Sequence, residues 1–220
     1  MNYLVLIGDI IASRRLVDRA HVQEQLREVV SRLNAMPAGL VSPYTITLGD
    51  EFQAVFATAE RMFPDALAIA HALYPVQVRF ALGIGEITTA INSQQAIGMD
   101  GPAFHAARAG MQALKKEGTL FSLRGLRTTD EPLVQHTLDL LSFEMMKGWD
   151  ARHYQVCLRL YERGLAEGKS RYGMMVVPQL AQELQMTERG VFRLIKSGAL
   201  RQAIRIFHDI ACAVDHEVDA

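Results

Sequence analysis

The sequence predicts an α+β chain: a ferredoxin-like βαββαβ unit over residues 1–130, followed by an all-α region over residues 131–220. Three observations predict it. Residues 3–7 are a short β-rich apolar run, and residues 76–84 alternate Val76, Val78, Phe80, Leu82 and Ile84 with Gln77, Arg79, Ala81 and Gly83. Residues 44–48 and 52–56 read as two strands joined at Gly49-Asp50-Glu51, where Gly-Asp signals a hairpin. From Asp130 onward the pattern is helical with no strand.

The remaining elements follow in order. Between about residues 17 and 36, Val22, Leu26, Val29 and Leu33 mark one helical face, which Pro37 and Gly39 terminate. Residues 59–74 read as a helix that tolerates Pro64 near its start. After the strand at 76–84 come a short strand near 87–91, a loop, a helix from about 102 to 116 and a strand near 120–123. The first strand is apolar on both faces, so the sheet needs a second cover, from the C-terminal helices or from another subunit. The tail after Ala213, with Asp215, Glu217 and Asp219, reads as frayed.

Composition narrows the function classes. Half of the 220 residues are hydrophobic and 21% are charged, an ordinary globular balance and not a disordered one. The net charge is −1, so contact with nucleic acid requires a local basic patch. No apolar run approaches the roughly 20 residues that cross a bilayer, so no membrane insertion is expected. The N-terminus lacks a basic lead and reaches Asp9 early, so no secretory leader and a cytoplasmic location are expected. Two cysteines without a CxxC, and seven histidines without HxxxH or HExxH, suggest neither a disulfide framework nor a zinc site.

The chemistry centres on two carboxylates. Asp9 ends the first strand and Asp50 begins the third, and in βαββαβ topology these strands are antiparallel neighbours. Facing carboxylates repel unless a cation lies between them, and Mg²⁺ takes one or two protein carboxylates plus water and phosphate oxygens. Gly8 and Gly49 would let a nucleotide approach the backbone. Ile10 to Ser13 would offer amides to phosphate, with Arg14 and Arg15 adding charge. The plainer reading is a turn Asp and a cap Asp. Asp100-Gly101-Pro102 reads as a turn into the next helix, on which His105 is a candidate ligand contact.

The C-terminal region carries a second candidate. Leu180, Ala181, Leu184, Val191, Leu194 and Ile195 fit two short helices across a tight turn over about 177–197, with Thr187 capping the second. Arg189, Arg193, Lys196, Arg201 and Arg205 follow with no acid among them, so Arg189, Arg193 and Lys196 are the candidate DNA contacts. The arrangement resembles a sigma-factor-like helix-turn-helix. The alternative is a solvated basic face on an interaction module.

Gly8-Asp9-Ile10 and the run from Leu48 to Phe56 (Leu-Gly-Asp-Glu-Phe-Gln-Ala-Val-Phe) resemble the palm of class III nucleotidyl cyclases and of GGDEF diguanylate cyclases. Arg79 to Ile87 and Gly98 to Arg108 resemble the next strand, loop and helix of that palm. More closely, the chain resembles the bacterial SatD family, through Gly8 to Arg14, Gly49 to Gln53, Asp100 to Phe104 and Ala107-Arg108. The resemblance covers essentially the whole chain. It implies a cyclase-like palm followed by a helix-turn-helix. It also implies metal ligands at Asp9 and Asp50 with Glu51 as a third acid, Mg²⁺ or Mn²⁺ as cofactor, and Arg108 as a phosphate contact. The chain departs from working cyclases at Ile46, where they carry a base-reading Lys, and at Phe104, where they carry an Asn. The loss of one such donor typically lowers rate by 10²–10³.

The expectation is a regulatory protein whose palm binds a purine nucleoside triphosphate and whose helix-turn-helix binds DNA or a protein partner, as a homodimer. The alternatives are an active nucleotidyl cyclase or nucleotidyltransferase on ATP or GTP, and a DNA-binding or scaffold protein with a vestigial palm.

Overall fold

A computed structural model describes residues 1–36, 38–47, 49–127, 131–163 and 172–219. Pro37, Leu48, residues 128–130 and the polar stretch 168–171 lie outside the described residues. The chain runs β1 (Tyr3–Ile10), a 3₁₀ turn (Ser13–Arg15), α1 (Arg19–Asn34), β2 (Leu40–Ile46), β3 (Glu51–Phe56), α2 (Met62–Leu73), β4 (Val78–Gly85), α3 (Pro102–Glu117) and β5 (Phe121–Arg124). Five helices follow: α4 (Glu131–Gly148), α5 (Ala151–Glu162), α6 (Tyr172–Glu183), α7 (Glu188–Ser197) and α8 (Leu200–Asp219).

The sheet order is β2-β3-β1-β4-β5. The βαββαβ core is antiparallel, and β5 adds to β4 in parallel. Local sequence explains the helix ends. The Asp18 carboxylate accepts from the His21 amide at 3.0 Å and caps α1, freeing Val22, Leu26, Val29 and Leu33 to face the core. Pro64 is the third residue of α2, where no intrahelical donor is lost. Pro102 opens α3 and Gly118 closes it.

Pleating assigns side chains to two cores. Leu4, Leu6, Phe52, Ala54, Phe56, Phe80 and Leu82 face α1, α2 and the C-terminal helices. The rings of Phe63 on α2 and Phe207 on α8 lie 4.3 Å apart, with Phe121 of β5 against both. One apolar core therefore runs through residues 1–130 and 131–220 alike. On the other face, Val5, Ile7, Val55 and Ala81 lie under Ala103, Phe104, Ala107 and Met111 of α3 and under Ala96 and Met99.

Three expectations are corrected. The second sheet face is covered by α3 and the 86–101 loop, and not by the C-terminal helices, which join the first face. Residues 87–91 form no strand. Their segment is fastened as a loop, with Thr88 N–H to the Asp100 carbonyl at 2.9 Å and Ala96 N–H to Thr45 Oγ1 at 2.8 Å. The tail is helical to Asp219, because Val214 and Val218 are buried and Asp215 accepts from the Ala59 amide at 2.6 Å. Among the described residues no helix is long and apolar enough to cross a membrane.

Candidate functional site

Strand alternation brings Asp9 to the α3 face at the end of β1. Its register partners are Glu51 on β3 and Arg79 on β4. Arg79 Nη1 lies 3.3 Å from Asp9 Oδ2, and Lys115 Nζ, from the last turn of α3, lies 2.9 Å from Oδ1. The Asp9 and Arg79 side chains are 12% and 15% exposed, so that pair is weakly screened, whereas the half-exposed Lys115 makes a solvent-screened contact.

Asp50 is not the residue opposite Asp9. Thr47 N–H bonds the Glu51 carbonyl at 2.8 Å and closes the hairpin, so β3 starts at Glu51. Asp50 instead meets Ile10, whose amide donates to the Asp50 carbonyl at 3.0 Å, while the Asp50 carboxylate accepts from the buried Ser13 hydroxyl. The Ile11 amide donates to the Gln77 carbonyl at 2.9 Å. The amides of Ile10 and Ile11 are thus engaged within the protein and do not form the expected phosphate cradle. Ser13 opens a three-residue 3₁₀ turn, from which Arg14 and Arg15 extend into solvent.

The two glycines answer to packing and turn geometry. A Cβ at Gly8 would lie 2.0 Å from the Phe52 ring, so its missing side chain makes room for an aromatic and not for a nucleotide. Gly49 has φ +80° in the hairpin, and its carbonyl accepts from Gln23 Nε2 at 3.1 Å. His105 is exposed and pairs with Asp100 at 3.0 Å. Arg108 is exposed on the same helix, seven residues from Lys115, which is roughly 10 Å along the axis. The helix therefore carries Arg108 about two turns away from the Asp9 contact.

The three acids expected around Mg²⁺ or Mn²⁺ do not come together as one group. Among the described residues no group of three or more His, Cys, Asp or Glu side chains could hold a metal ion, so Asp9, Asp50 and Glu51 are not a ligand cluster. The positive charge that the facing acids require comes from Arg79 and Lys115. Neither cation belonged to the expected site. Arg79 was legible from the antiparallel register of β1 and β4, but Lys115 carries no local signal.

The second site is the pair α6 and α7. Val191, Leu194 and Ile195 are buried with Leu180, Ala181 and Leu184. The turn passes through Gln185 at φ +51°, and Thr187 Oγ1 accepts from the Gly190 amide at 3.1 Å to cap α7. Arg189, Phe192, Arg193 and Lys196 project together from the exposed face of α7. Among the described residues none of these three cations has an ion-pair partner. The far end of α7 is anchored: His153 Nε2 lies 3.0 Å from Ser197 Oγ, and Trp149 Nε1 donates to the Gly198 carbonyl. His153 and Asp150 form the capping box of α5. Burial alone would raise the Asp150 pKa, but hydrogen bonds from the His153 ring and amide hold it below the ordinary value.

Comparison with known proteins completes the picture. No curated protein matches the chain. Among solved structures, a bacterial light-regulated adenylyl cyclase is similar at a TM-score of 0.42 and 16% identity, over 56% of this chain and 74% of that one. The dimeric guanylyl cyclase domain of a fusion protein from the aquatic fungus Blastocladiella emersonii gives 0.39 and 16%, over 50% and 73%. A regulator of polyketide synthase expression from Bifidobacterium adolescentis gives 0.25 and 16%, over 100% and 87%. The sequence profile of the SatD family matches residues 3–209, nearly the entire chain, with both the sheet and the α6–α7 pair inside the match. The chain belongs to the SatD family.

Proposed function

We propose that the protein is a DNA-binding regulator in which α7 is the recognition helix. The observation that carries this reading is the exposed face of α7, where Arg189, Arg193 and Lys196 flank Phe192 on a helix capped at one end and anchored at the other. Such a helix presents cations to phosphates and a planar side chain to base edges. The test is fluorescence anisotropy with labelled duplex across a salt series. Arg189→Ala and Arg193→Ala should each weaken binding and lower the salt slope by about one. Unchanged retention in both variants would remove the DNA reading and leave α7 as a protein-interaction surface.

The regulatory input in this proposal is a purine nucleoside triphosphate at the charged end of the palm, bound without a metal. The exposed cations Arg14 and Arg15 near the end of β1 support this reading. Ligand at a hundredfold over its Kd should raise stability by about 2.7 kcal/mol in a thermal melt. If no triphosphate moves the melt, the scaffold reading takes its place. The engagement of Asp9 by Arg79 and Lys115 already favours that second reading. No observation favours the cyclase alternative.

A homodimer belongs to the same proposal. The exposed face of α4 carries Leu133, Leu140 and Phe143. Antiparallel pairing of two copies about Leu140 would set His136 against Glu144 of the second copy, a donor facing an acceptor. Sedimentation as a monomer that Leu140→Glu does not alter would remove this element.

A further inference from the structure

We propose that Lys115 is a tethered counter-ion that, together with Arg79, excludes divalent cations from Asp9, so that this palm works metal-free. The proposal concerns the Asp9 carboxylate alone and stands whether or not the protein binds DNA or nucleotide.

The two carboxylate oxygens of Asp9 are divided between two cations of the chain itself. Lys115 Nζ takes Oδ1 at 2.9 Å and Arg79 Nη1 takes Oδ2 at 3.3 Å. A divalent ion bound to either oxygen would sit against a positive charge of the chain itself, and Mg²⁺ needs its remaining positions free for water or phosphate. The local charges of Asp9, Glu51, Arg79 and Lys115 sum to zero without any ion.

The two cations are held differently. Arg79 lies in β4 directly across the ladder from Asp9 and is 15% exposed, so strand pairing fixes it. Lys115 is 47% exposed on a flexible stem and comes from the last turn of α3. A helix C-terminus favours a cation there, so the same lysine is drawn by the α3 dipole and by Asp9. Lys115 is thus the member of the pair that can be removed without disturbing the sheet. Its removal leaves Asp9 and Glu51 as register partners with one cation between two acids.

The experiment is a Mn²⁺ titration followed by loss of the free-ion paramagnetic resonance signal, with no nucleotide present. The proteins are wild type, Asp9→Asn, Lys115→Arg, Lys115→Met and the Lys115→Met/Asp9→Asn double variant. Wild type and Lys115→Arg should show no Mn²⁺ binding that depends on Asp9. Lys115→Met should bind about tenfold tighter or more, and the double variant should lose that gain. Wild-type Mn²⁺ binding that Asp9→Asn abolishes would overturn the proposal. So would a Lys115→Met protein, folded by circular dichroism, that binds no tighter than wild type.

Discussion

Trp149 donates its indole N–H to the Gly198 carbonyl at 2.9 Å, joining the α4–α5 junction to the end of α7 across 49 residues of sequence. The bond is buried, and it fixes the helix whose basic face is proposed to read DNA. Trp149→Phe keeps the aromatic contact with Tyr154 but leaves the carbonyl without its donor. A buried acceptor left unpaired costs about 1–3 kcal/mol. Urea unfolding followed by far-UV circular dichroism should show that loss, and an unchanged midpoint would mean that the bond does not hold α7.

Gly8 separates two accounts of the first strand. If its missing side chain serves the Phe52 ring, Gly8→Ala must force the ring or the strand aside, since the added Cβ would lie 2.0 Å from ring carbon. Overpacking of this kind costs about 1–3 kcal/mol. The variant should melt lower whether or not triphosphate is present. A variant as stable as wild type that had lost only a ligand-induced shift would return Gly8 to the ligand site.

A buried acid sets a pH dependence. Asp65 pairs with Arg61 at 2.9 Å beneath the end of α1, whose carbonyls Arg61 also binds. Burial outweighs the attraction of Arg61 and raises the Asp65 pKa to about 6 from an ordinary 3.8. Because the folded pKa is the higher one, the folded state holds the proton more tightly. This contribution to stability is complete below about pH 3.8 and is lost as pH rises through about 6. The loss is roughly 3 kcal/mol at most. Carbon NMR of the Asp65 carboxyl should titrate near 6, and Asp65→Asn should flatten the stability profile between pH 4 and 6. A midpoint below 4 would show that the ion pair prevails.

Much of the palm was legible because its signals are local. The alternation from Val76 to Ile84 and the Gly-Asp hairpin suffice to order the first four strands. The candidate site was legible only to within one residue. Hairpin closure at Thr47 and Glu51 shifts the register, so Glu51 and not Asp50 meets Asp9, and a single step reassigns the pair. Lys115 stood outside any motif, since only the docking of α3 on the sheet brings it to Asp9. The tail misled through its charges. Val214 and Val218, four apart, form the buried face, while Asp215 serves the Ala59 amide far back in the chain.

The contact of Phe207 with Phe63 and Phe121 also bears on how the chain is made. During synthesis the sheet and its first helices leave the ribosome well before α8. Until α8 arrives, the aromatic centre of the palm lacks one wall and stays exposed to water. The aromatic centre of the palm is therefore complete only once α8, the last helix of the chain, has docked.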